Sequence, residues 1–415
     1  MDFDAKNFIL SCLDVAVEAA SAHKTLSAHL PADNKSPAIV ISAGKAGASM
    51  AAAFENCWKG QIKGLAVAPY YHGEYLKHLE LIEASHPIPD HMSVTASKKV
   101  FDLASNLSEE DTVFVLLSGG SSSLLSYPAG QFDFSEKQKI NSLLLRSGAD
   151  INEINCIRKH LSAIKGGRLA AHCHPAKLYT LAISDVVGDD PSVIGSGPTV
   201  ADPTTSRDAI EILKKYDIST SDTVRHWLES PQSETLKDDF ECTNYKIIAS
   251  ATTMLNEVAQ FAKKSNIDVI NLGELDGNAR ELGLETANYL KTIKPTKPTL
   301  VISGGETTVK VRGNGRGGRN GEYLLSLGLS LNDDGNIYAL AADTDGIDGS
   351  EDNAGAIITP DTLRRAKELG LDLGTMLNNN DSYSAFSKLA DLIITGPTRT
   401  NVNDFRAALI MPENF

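Results

Sequence analysis

Three segments of the chain follow one pattern, in which a short apolar run rich in β-branched residues stops at a glycine turn. They are residues 38–54, 111–125 and 299–309. Further apolar runs with the length of strands occupy 178–185, 245–250, 268–273 and 337–345. Helical patterns lie between them, and residues 4–29 are predicted to form one long amphipathic helix. Strands that alternate with helices predict an α/β fold with largely parallel sheets.

The length of the chain and a similar order of motifs in its two halves predict more than one domain. A chain of 415 residues is longer than a single core usually covers. In each half a strand ending in Ser-Gly-Gly is followed later by a strand ending in an acidic loop. The polar stretches 230–243 and 291–299 are the two candidate linkers. If the domain boundary lies at the first of these linkers, the prediction is an N-terminal domain over 1–243 and a C-terminal domain over 244–415.

The charge balance limits the partners of the chain. Its net charge is −14 and its pI is about 5.2, which disfavours nucleic acid and anionic membrane surfaces as ligands. No apolar run approaches the roughly 20 residues that span a bilayer. The first eight residues, MDFDAKNF, carry acid where a secretory signal carries base, which predicts a cytoplasmic protein. The expected partners are small molecules, with a homodimer as the candidate assembly.

Two of the glycine turns have the composition of anion-binding loops. Glycine lets a backbone approach a ligand closely and direct its N–H groups at an anion. Lys45 lies between two glycines at the end of the first strand, where it could meet a negative charge. Neither loop has the spacing of a P-loop or of the dinucleotide motif GxGxxG. The alternative is a pair of tight turns with a serine cap and a solvated lysine. The predicted cofactor-binding residues are Gly44, Gly119, Gly120, Ser121, Ser122 and Ser123.

Two acidic loops follow other predicted strands. The first contains Asp185, Asp189 and Asp190, and the second contains Asp345 between two further aspartates. Clustered carboxylates repel one another unless cations lie between them, and Mg²⁺ prefers a few oxygen ligands together with phosphate and water. The candidate metal ligands are therefore Asp189 and Asp345. The alternative is an Asx-rich surface turn in each case.

Basic residues concentrate in two segments. In residues 152–170 most of the charges are expected on a solvated helix face, with Lys165 and Arg168 the candidates for contact with an anion. The other segment, RGNGRGGRNGEY at 312–323, places Arg316 and Arg319 among glycines. We expect both arginines to swing on these glycines toward a multiply charged group and to bind its oxygens in a fork.

Taken together, nine motifs spread over about residues 8–410 carry a family resemblance. In chain order they are SAGKAG, SHPIPD, LLSGGSSSLL, IRKHLSAIKGGRLA, SDVVGDDPSVIGSGPT, GGETTV, GRGGRNGE, DTDGIDG and TGPTRTNVND. This series resembles the glycerate 2-kinase family, whose C-terminal module is called MOFRL. Some members carry the older label hydroxypyruvate reductase. One departure is Arg399, where the family pattern has glycine, and the arginine adds bulk and charge to this segment.

The resemblance implies an enzyme that uses ATP and Mg²⁺ to phosphorylate the 2-hydroxyl of D-glycerate. It implies a larger Rossmann-like N-terminal domain, a smaller C-terminal MOFRL domain and an active site in the cleft between them. The essential lysine of the family falls on Lys45 and its essential arginine on Arg319. The glycine- and serine-rich loop falls on residues 119–123 and the acidic loop on 185–190.

These assignments lead to a hypothesis of direct in-line phosphoryl transfer. Lys45 would hold the γ-phosphate or the glycerate carboxylate, and Arg319 would stabilise charge on the moving phosphoryl group, although the two roles could be interchanged. Asp189 would bind Mg²⁺ or orient the substrate hydroxyl. The rival functions are an NAD(P)H-dependent hydroxypyruvate reductase, for which the dinucleotide motif is missing, and a non-catalytic sensor of a small organic acid.

Overall fold

The computed structural model describes residues 3–332 and 336–412. The chain divides into two compact units. One contains Thr25–Ile248, and the other contains the residues up to Lys24 together with those from Ala249 onward. None of the described helices is both long and apolar enough to cross a membrane.

The strands and helices are numbered in chain order. The strands are β1 Ala38–Ala43, β2 Ile62–Pro69, β3 Glu80–Ala84, β4 Thr112–Leu117, β5 Lys177–Ile183, β6 Thr243–Ala249, β7 Asp268–Glu274, β8 Gly277–Asn278, β9 Thr299–Gly304, β10 Thr307–Thr308, β11 Ile337–Asp343, β12 Gly355–Ile358, β13 Leu392–Ile393 and β14 Asp404–Ile410. The helices are α1 Ala5–Ala19, α2 Ala22–Thr25, α3 Gly47–Cys57, α4 His91–Leu103, α5 Ser121–Leu124, α6 Phe134–Ser147, α7 Ile151–His160, α8 Arg168–Cys173, α9 Ser206–Lys215, α10 Asp222–Glu229, α11 Ala251–Lys264, α12 Ala279–Thr292, α13 Arg319–Leu331, α14 Thr362–Glu368, α15 Leu373–Asn378 and α16 Ser382–Leu389.

The N-terminal unit is built on a six-stranded sheet with the order β3-β2-β1-β4-β5-β6. The pairings of β1 with β2, β1 with β4, β2 with β3 and β4 with β5 are all parallel, as the sequence predicted for this part of the chain. Strand β1 is buried along its whole length, which explains its continuous apolar sequence. The order is that of doubly wound dinucleotide-binding sheets, and it reverses between β1 and β4.

Two apolar cores are prominent among the described residues of this unit. One lies against the sheet and includes residues of β1, β2, β4 and β5. The other is a helical cluster formed by α6, α7, α9 and α10, in which Ile140, Leu144, Ile157 and Leu213 are buried. Ile154 and Ile157 of α7 are buried in this second core, and their spacing of three residues is typical of the apolar face of a helix.

The sheet of the C-terminal unit is mixed, with the order β13-β12-β11-β14-β9-β7. Among the described residues of this sheet only β7 and β9 pair in parallel, and the pairings of β14 with β9, β14 with β11, β11 with β12 and β12 with β13 are antiparallel. The prediction of a largely parallel sheet therefore does not extend to this unit. The physical reason is that β14, from the end of the chain, lies between β9 and β11, which a helix connects. Alternation of strands and helices along the sequence does not reveal such an insertion.

The first helix belongs to the C-terminal unit. Helix α1 packs against α11, β11 and β14, so the described residues before Thr25 differ from the predicted assignment to an N-terminal domain over 1–243. The amphipathic pattern predicts that α1 is buried on one side, but it contains no information about which core covers it. The single helix predicted over 4–29 is interrupted after Ala19 and continues as the short α2 and a 3₁₀ turn at Leu26–His29.

Candidate functional site

The loops after β1 and β4 lie side by side where the order of the N-terminal sheet reverses. In doubly wound sheets, ligands bind at this switch point beyond the carboxyl ends of the strands. The backbone N–H of Lys45 donates to the carbonyl oxygen of Gly119 at 2.8 Å, and that of Ala46 donates to Ser118 Oγ at 2.9 Å. A Cβ at Gly44 would lie 2.0 Å from Ser118 Oγ, so only glycine allows this approach. The structure thus joins the two predicted glycine loops.

Residues 119–123, here called the Gly-Ser loop, present backbone donors that have no other use. Within the described residues, the N–H groups of Gly119, Gly120 and Ser122 make no hydrogen bond. Gly120 has φ +84, in the left-handed region, and a Cβ there would lie 2.8 Å from the ring of His86 in the motif SHPIPD. Successive N–H groups around a left-handed residue form concave anion sites. This geometry suits the oxygens of a phosphate or a carboxylate.

The three serine hydroxyls of the Gly-Ser loop differ in their availability. Ser123 Oγ donates to the carbonyl oxygen of Gly120 at 2.9 Å, and Ser122 Oγ lies 2.8 Å from Ser196 Oγ. Ser121 Oγ is buried without a hydrogen-bond partner among the described residues. Two of the three hydroxyls are therefore engaged within the protein.

The acidic loop after β5 contains a strained residue with a carboxylate available for a ligand. Asp189 has φ +56, a conformation that costs energy for a residue with a side chain and is concentrated at functional sites. Its carboxylate makes no hydrogen bond or ion pair with another described residue. Its neighbour Asp190, in contrast, accepts a hydrogen bond from the backbone N–H of Ser192 at 2.8 Å. Within this loop, Asp189 is the better candidate for contact with a metal or a substrate.

The charges of α7 and the following turn are not a solvated face, which corrects the prediction. Lys159 is buried and pairs with the fully buried Asp202 at 3.1 Å. Arg168 donates to the carbonyl oxygens of Gln232 and Ser233 at 3.2 and 2.6 Å, so its guanidinium has a structural role instead of the predicted anion contact. Helical periodicity missed these contacts because the partners come from later segments of the chain, Asp202 for Lys159 and residues 232–233 for Arg168.

Lys165, the other predicted basic candidate, does reach a cavity. Together with Lys137 of α6 and Arg158 of α7 it lines a space of about 220 Å³ that borders Gly120 and Ser122 of the Gly-Ser loop. We call this space the basic cavity. Sequence reasoning missed Lys137 and regarded Arg158 as solvated. No signal in the sequence of α6 separates Lys137 from its exposed neighbour Lys139.

In the C-terminal unit, Arg319 begins α13 and is held by three carboxylates. Its Nε donates to Asp404 Oδ1 at 2.8 Å, its Nη2 to Asp343 Oδ2 at 2.9 Å, and its Nη1 to Glu306. Burial by itself lowers the pKa of Arg319. The charges of Asp404, Asp343 and Glu306 outweigh this effect, so the pKa lies above its ordinary value.

The network around Arg319 continues into the core. Asp404 is fully buried and accepts further hydrogen bonds from Asn320 Nδ2 at 2.7 Å and from Nη2 of the buried Arg406 at 2.7 Å. We call Arg319, Arg406 and their carboxylate partners the arginine cluster. The prediction missed the roles of Glu306 and Asp404, although both lie in motifs that carry the family resemblance.

The predicted swinging arginines are in fact anchored. Arg316 pairs with Glu351 and lies over the ring of Tyr383, 4.5 Å from its centroid. The start of α13 is fixed by Asp348, whose Oδ1 and Oδ2 accept the N–H groups of Asn320 and Gly321 at 2.9 and 2.8 Å. Burial raises the pKa of Asp348 to about 6. The glycines here allow close packing of Asp348 against the backbone, since a Cβ at residue 318 would lie 2.3 Å from its Oδ1.

Asp345, the second candidate metal ligand, lies next to the arginine cluster. Its backbone N–H donates to Asp343 Oδ1 at 3.0 Å, and its own Oδ1 accepts the N–H of Ile347 at 2.9 Å. Within the described residues, no three Asp, Glu, His or Cys side chains gather closely enough to hold a metal by themselves. A Mg²⁺ ion that arrives on phosphate oxygens needs only one or two carboxylates. Asp189 and Asp345 fit that weaker requirement, each within its own unit.

The departure at Arg399 has a structural counterpart. This residue has φ +61, in the left-handed region that favours glycine. The backbone therefore keeps the conformation that a glycine would adopt freely, and the chain accommodates an arginine there with some strain.

Comparisons with known proteins agree with this architecture. The family model described as "Domain of unknown function (DUF4147)" matches residues 8–229, and that of the MOFRL family matches residues 299–404. The chain is 40% identical over 415 residues to the D-glycerate 2-kinase of Thermotoga maritima, with 98% of each chain covered. It is 44% identical to an Agrobacterium vitis protein named "Putative hydroxypyruvate reductase", covering 99% of this chain and 95% of that one.

A solved structure leads to the same family. The crystal structure of the glycerate kinase from Thermotoga maritima superposes with a TM-score of 0.92 at 39% identity, covering 98% of this chain and 99% of that one. Fold, site residues and full-length similarity together define a two-unit α/β protein with an N-terminal doubly wound sheet and a C-terminal MOFRL unit. The chain belongs to the glycerate 2-kinase family.

Proposed function

We propose that this protein is a glycerate 2-kinase that transfers the γ-phosphoryl group of ATP to the 2-hydroxyl of D-glycerate. The observation that carries the proposal is the junction at the switch point, where the Lys45 loop is hydrogen-bonded to a Gly-Ser loop with three available N–H groups. The full-length similarity to proteins named glycerate 2-kinase supports the choice of substrate.

In the proposed reaction, the bond between the γ-phosphorus and the bridging oxygen breaks while a bond to the 2-hydroxyl oxygen of glycerate forms. ADP leaves with the bridging oxygen, and the hydroxyl proton passes to a base or to water. Because such transfers need mainly positioning and charge neutralisation, the residues are assigned on that basis. The N–H groups of the Gly-Ser loop hold phosphate oxygens, and Lys45 holds the γ-phosphate or the glycerate carboxylate. Arg319 stabilises charge on the transferred group, and these two cationic roles are interchangeable in the proposal.

Mg²⁺ is part of the proposal, with Asp189 and Asp345 as its candidate ligands. When bound, the ion would neutralise charge on the phosphate oxygens. Asp345 lies beside the arginine cluster, in which Asp343, Glu306 and Asp404 supply further carboxylate oxygens. We expect Asp189→Asn to lower kcat and to weaken the dependence on Mg²⁺, and Asp238→Asn, at an exposed position, to change neither. Unchanged Mg²⁺ dependence in Asp189→Asn would make the acidic loop structural.

The deciding experiment measures ADP release that depends on D-glycerate and identifies the product by phosphorus NMR. A phosphate signal coupled to the proton on carbon 2 is the expected result, and coupling to the protons on carbon 3 would contradict the regiochemistry. We expect Lys45→Ala to reduce kcat/KM by about 10³-fold, in the range of cationic groups in phosphoryl transfer. Lys59→Ala, an exposed lysine of the same unit, is the matched control. Near-normal turnover by Lys45→Ala would contradict its assignment.

The reductase label of some relatives makes hydroxypyruvate reduction the second function to test. The strand order of the N-terminal sheet is compatible with a dinucleotide. However, the turn after β1 reads GKAGAS instead of GxGxxG, and β2 ends at Pro69 followed by Tyr70, with no acid there to hold a ribose. Oxidation of NADH or NADPH by hydroxypyruvate should therefore be undetectable under conditions where glycerate-dependent ADP release is measured. Binding of glycerate without either reaction would support the sensor instead.

A further inference from the structure

The basic cavity gathers three basic side chains from three segments of the N-terminal unit. Lys137 comes from α6, Arg158 from α7 and Lys165 from the turn that follows α7. Lys137 and Lys165 are only 8% and 2% exposed. None of the described residues that line the cavity is an aspartate or a glutamate. The cavity is therefore a buried cationic site without a counter-ion in the described part of the chain.

Elsewhere in the same unit, a buried lysine is compensated. Lys159 is as deeply buried as Lys137 and lies 3.1 Å from the carboxylate of Asp202. At the basic cavity, burial and the charge of Arg158 lower the pKa of Lys137 to about 7. Burial, Lys137 and Arg158 lower the pKa of Lys165 well below its ordinary value. Groups arranged at such a cost to the folded state are characteristic of binding sites.

Two of the three basic side chains keep donors available for an anion, whereas Lys165 Nζ already donates to the carbonyl oxygen of Leu125 at 2.5 Å. Arg158 donates through Nε to Asn141 Oδ1 at 2.7 Å, but its Nη groups make no hydrogen bond with another described residue. Lys137 Nζ has one long contact, 3.4 Å to the carbonyl oxygen of Tyr127. That oxygen already accepts the N–H of Ala163 at 3.0 Å. An anion could thus gain charge-assisted hydrogen bonds without leaving a protein group unsatisfied.

The size and the walls of the cavity limit what it can hold. Its volume of about 220 Å³ lies below the roughly 300–1,000 Å³ of pockets for drug-sized ligands, which favours a small ligand over a whole nucleotide. Much of the lining is apolar, from Phe134, Ile140, Leu144, Ile157 and Leu161. A hydrated Mg²⁺–triphosphate would place its waters against these side chains and would find no carboxylate ligand among the described lining residues. A small acid with a short carbon chain fits better.

We propose that the basic cavity binds the carboxylate of the small hydroxy acid that accepts the phosphoryl group, through Lys137, Arg158 and Lys165. This proposal rests on the proposed function and deepens it. In this arrangement the phosphate oxygens are assigned to the N–H groups of the Gly-Ser loop, and the acid is assigned to the cavity that the loop borders. Lys45 is then left for the γ-phosphate.

The test separates KM for D-glycerate from KM for ATP in the full-length protein. Lys137→Met and Arg158→Met should each raise KM for D-glycerate by about 10-fold or more, the loss expected for one charge-assisted hydrogen bond. KM for ATP should stay within about twofold. Lys139→Met and Arg146→Met, at exposed positions of α6, are the matched controls and should leave both constants unchanged. An unchanged KM for D-glycerate in both cavity variants, or an increase in KM for ATP alone, would overturn the proposal.

Calorimetry without ATP distinguishes a failure of this proposal from a failure of the proposed function. If the wild type shows no glycerate kinase activity, the kinase assignment fails. Comparing the binding of D-glycerate to the wild type and to Lys137→Met then tests whether the cavity is a carboxylate site. Binding that is lost in the variant supports a carboxylate site, whereas the absence of binding to the wild type overturns it. A parallel titration with inorganic phosphate tests whether the cavity binds phosphate instead of a carboxylate. Phosphate binding that depends on Lys137, together with glycerate binding that does not, would make the cavity a phosphate site and would also overturn the proposal.

Discussion

Two sites, one in each unit, differ in how they bury basic side chains: among the described residues, the arginine cluster pairs them with carboxylates and the basic cavity does not. In the arginine cluster, Arg319 and Arg406 share the fully buried Asp404, and Arg319 has two further carboxylate partners. In the basic cavity, Lys137, Arg158 and Lys165 have no acidic residue among the described lining. The pKa of Arg319 is raised by its partners, whereas burial without an acid lowers the pKa of Lys137.

This difference indicates which cations hold the fold and which await a ligand. A paired buried cation is costly to remove, because its partner is left as an unpaired buried charge. An uncompensated buried cation costs folding free energy instead, and replacing it with an apolar residue should stabilise the ligand-free protein. The sign of the change in the free energy of unfolding therefore distinguishes the two kinds of site.

The largest expected effect is the loss of Asp404. Asp404→Ala leaves Arg406 buried without its carboxylate and removes one of the partners of Arg319. We expect the free energy of unfolding to fall by about 3–5 kcal/mol, the usual result of breaking a buried ion pair. Urea denaturation measures it. Glu368→Ala removes an exposed pairing with Arg364 and should cause no measurable change. A small loss for Asp404→Ala would contradict the structural role of the arginine cluster.

A conservative change at Arg319 sharpens the comparison. Arg319→Lys retains the charge, but a single ammonium group cannot reproduce the fork that reaches Asp404, Asp343 and Glu306. We expect a loss of about 2 kcal/mol in the free energy of unfolding, equivalent to one lost hydrogen bond between charged groups. Arg364→Lys, at an exposed position, is the control for denaturation. Wild-type stability and wild-type kcat in Arg319→Lys together would show that the fork has no function.

Replacing the uncompensated lysine should have the opposite sign. Lys137→Met is expected to raise the free energy of unfolding of the ligand-free protein by about 1–2 kcal/mol at pH 6, because a buried charge gives way to an apolar side chain. Lys159→Met is the counterpart, since it strands the buried Asp202 and should be destabilising. Urea denaturation of both variants measures the signs. Destabilisation by both would remove the distinction between paired and uncompensated cations.

The smallest expected effect is a pH dependence of that stabilisation. Lys137 faces Arg158, Lys165 and His86 across the cavity, and its pKa in the folded protein is about 7, below the ordinary value of 10.5. Between these values the unfolded chain binds more protons than the folded one, so wild-type stability should rise as the pH rises. The advantage of Lys137→Met should therefore be largest below pH 7 and should shrink toward pH 10.5. Denaturation at several pH values measures this trend, and a constant advantage would contradict it.

Local patterns predicted much of the fold. The α/β class, the parallel N-terminal sheet and the strands near 178–185, 245–250, 268–273 and 337–345 follow from apolar runs between glycine turns. The two glycine loops were predicted as anion-binding loops, and the structure adds the hydrogen bonds that join the Lys45 loop to the Gly-Ser loop. The antiparallel insertion of β14 and the association of α1 with the C-terminal unit could not be predicted this way. Both depend on which distant segment covers an apolar face.

The sequence by itself determined where the backbone turns and offers N–H groups, because glycines at Gly44 and Gly120 permit conformations and approaches that other residues prevent. Only the tertiary structure decided which charges are buried, paired or left without a partner. Lys137 and Lys139 are two residues apart on one helix, and one faces a cavity while the other faces solvent. The reason is physical: the energy of a charge depends on the dielectric and the counter-charges around it, and distant segments of the chain supply both.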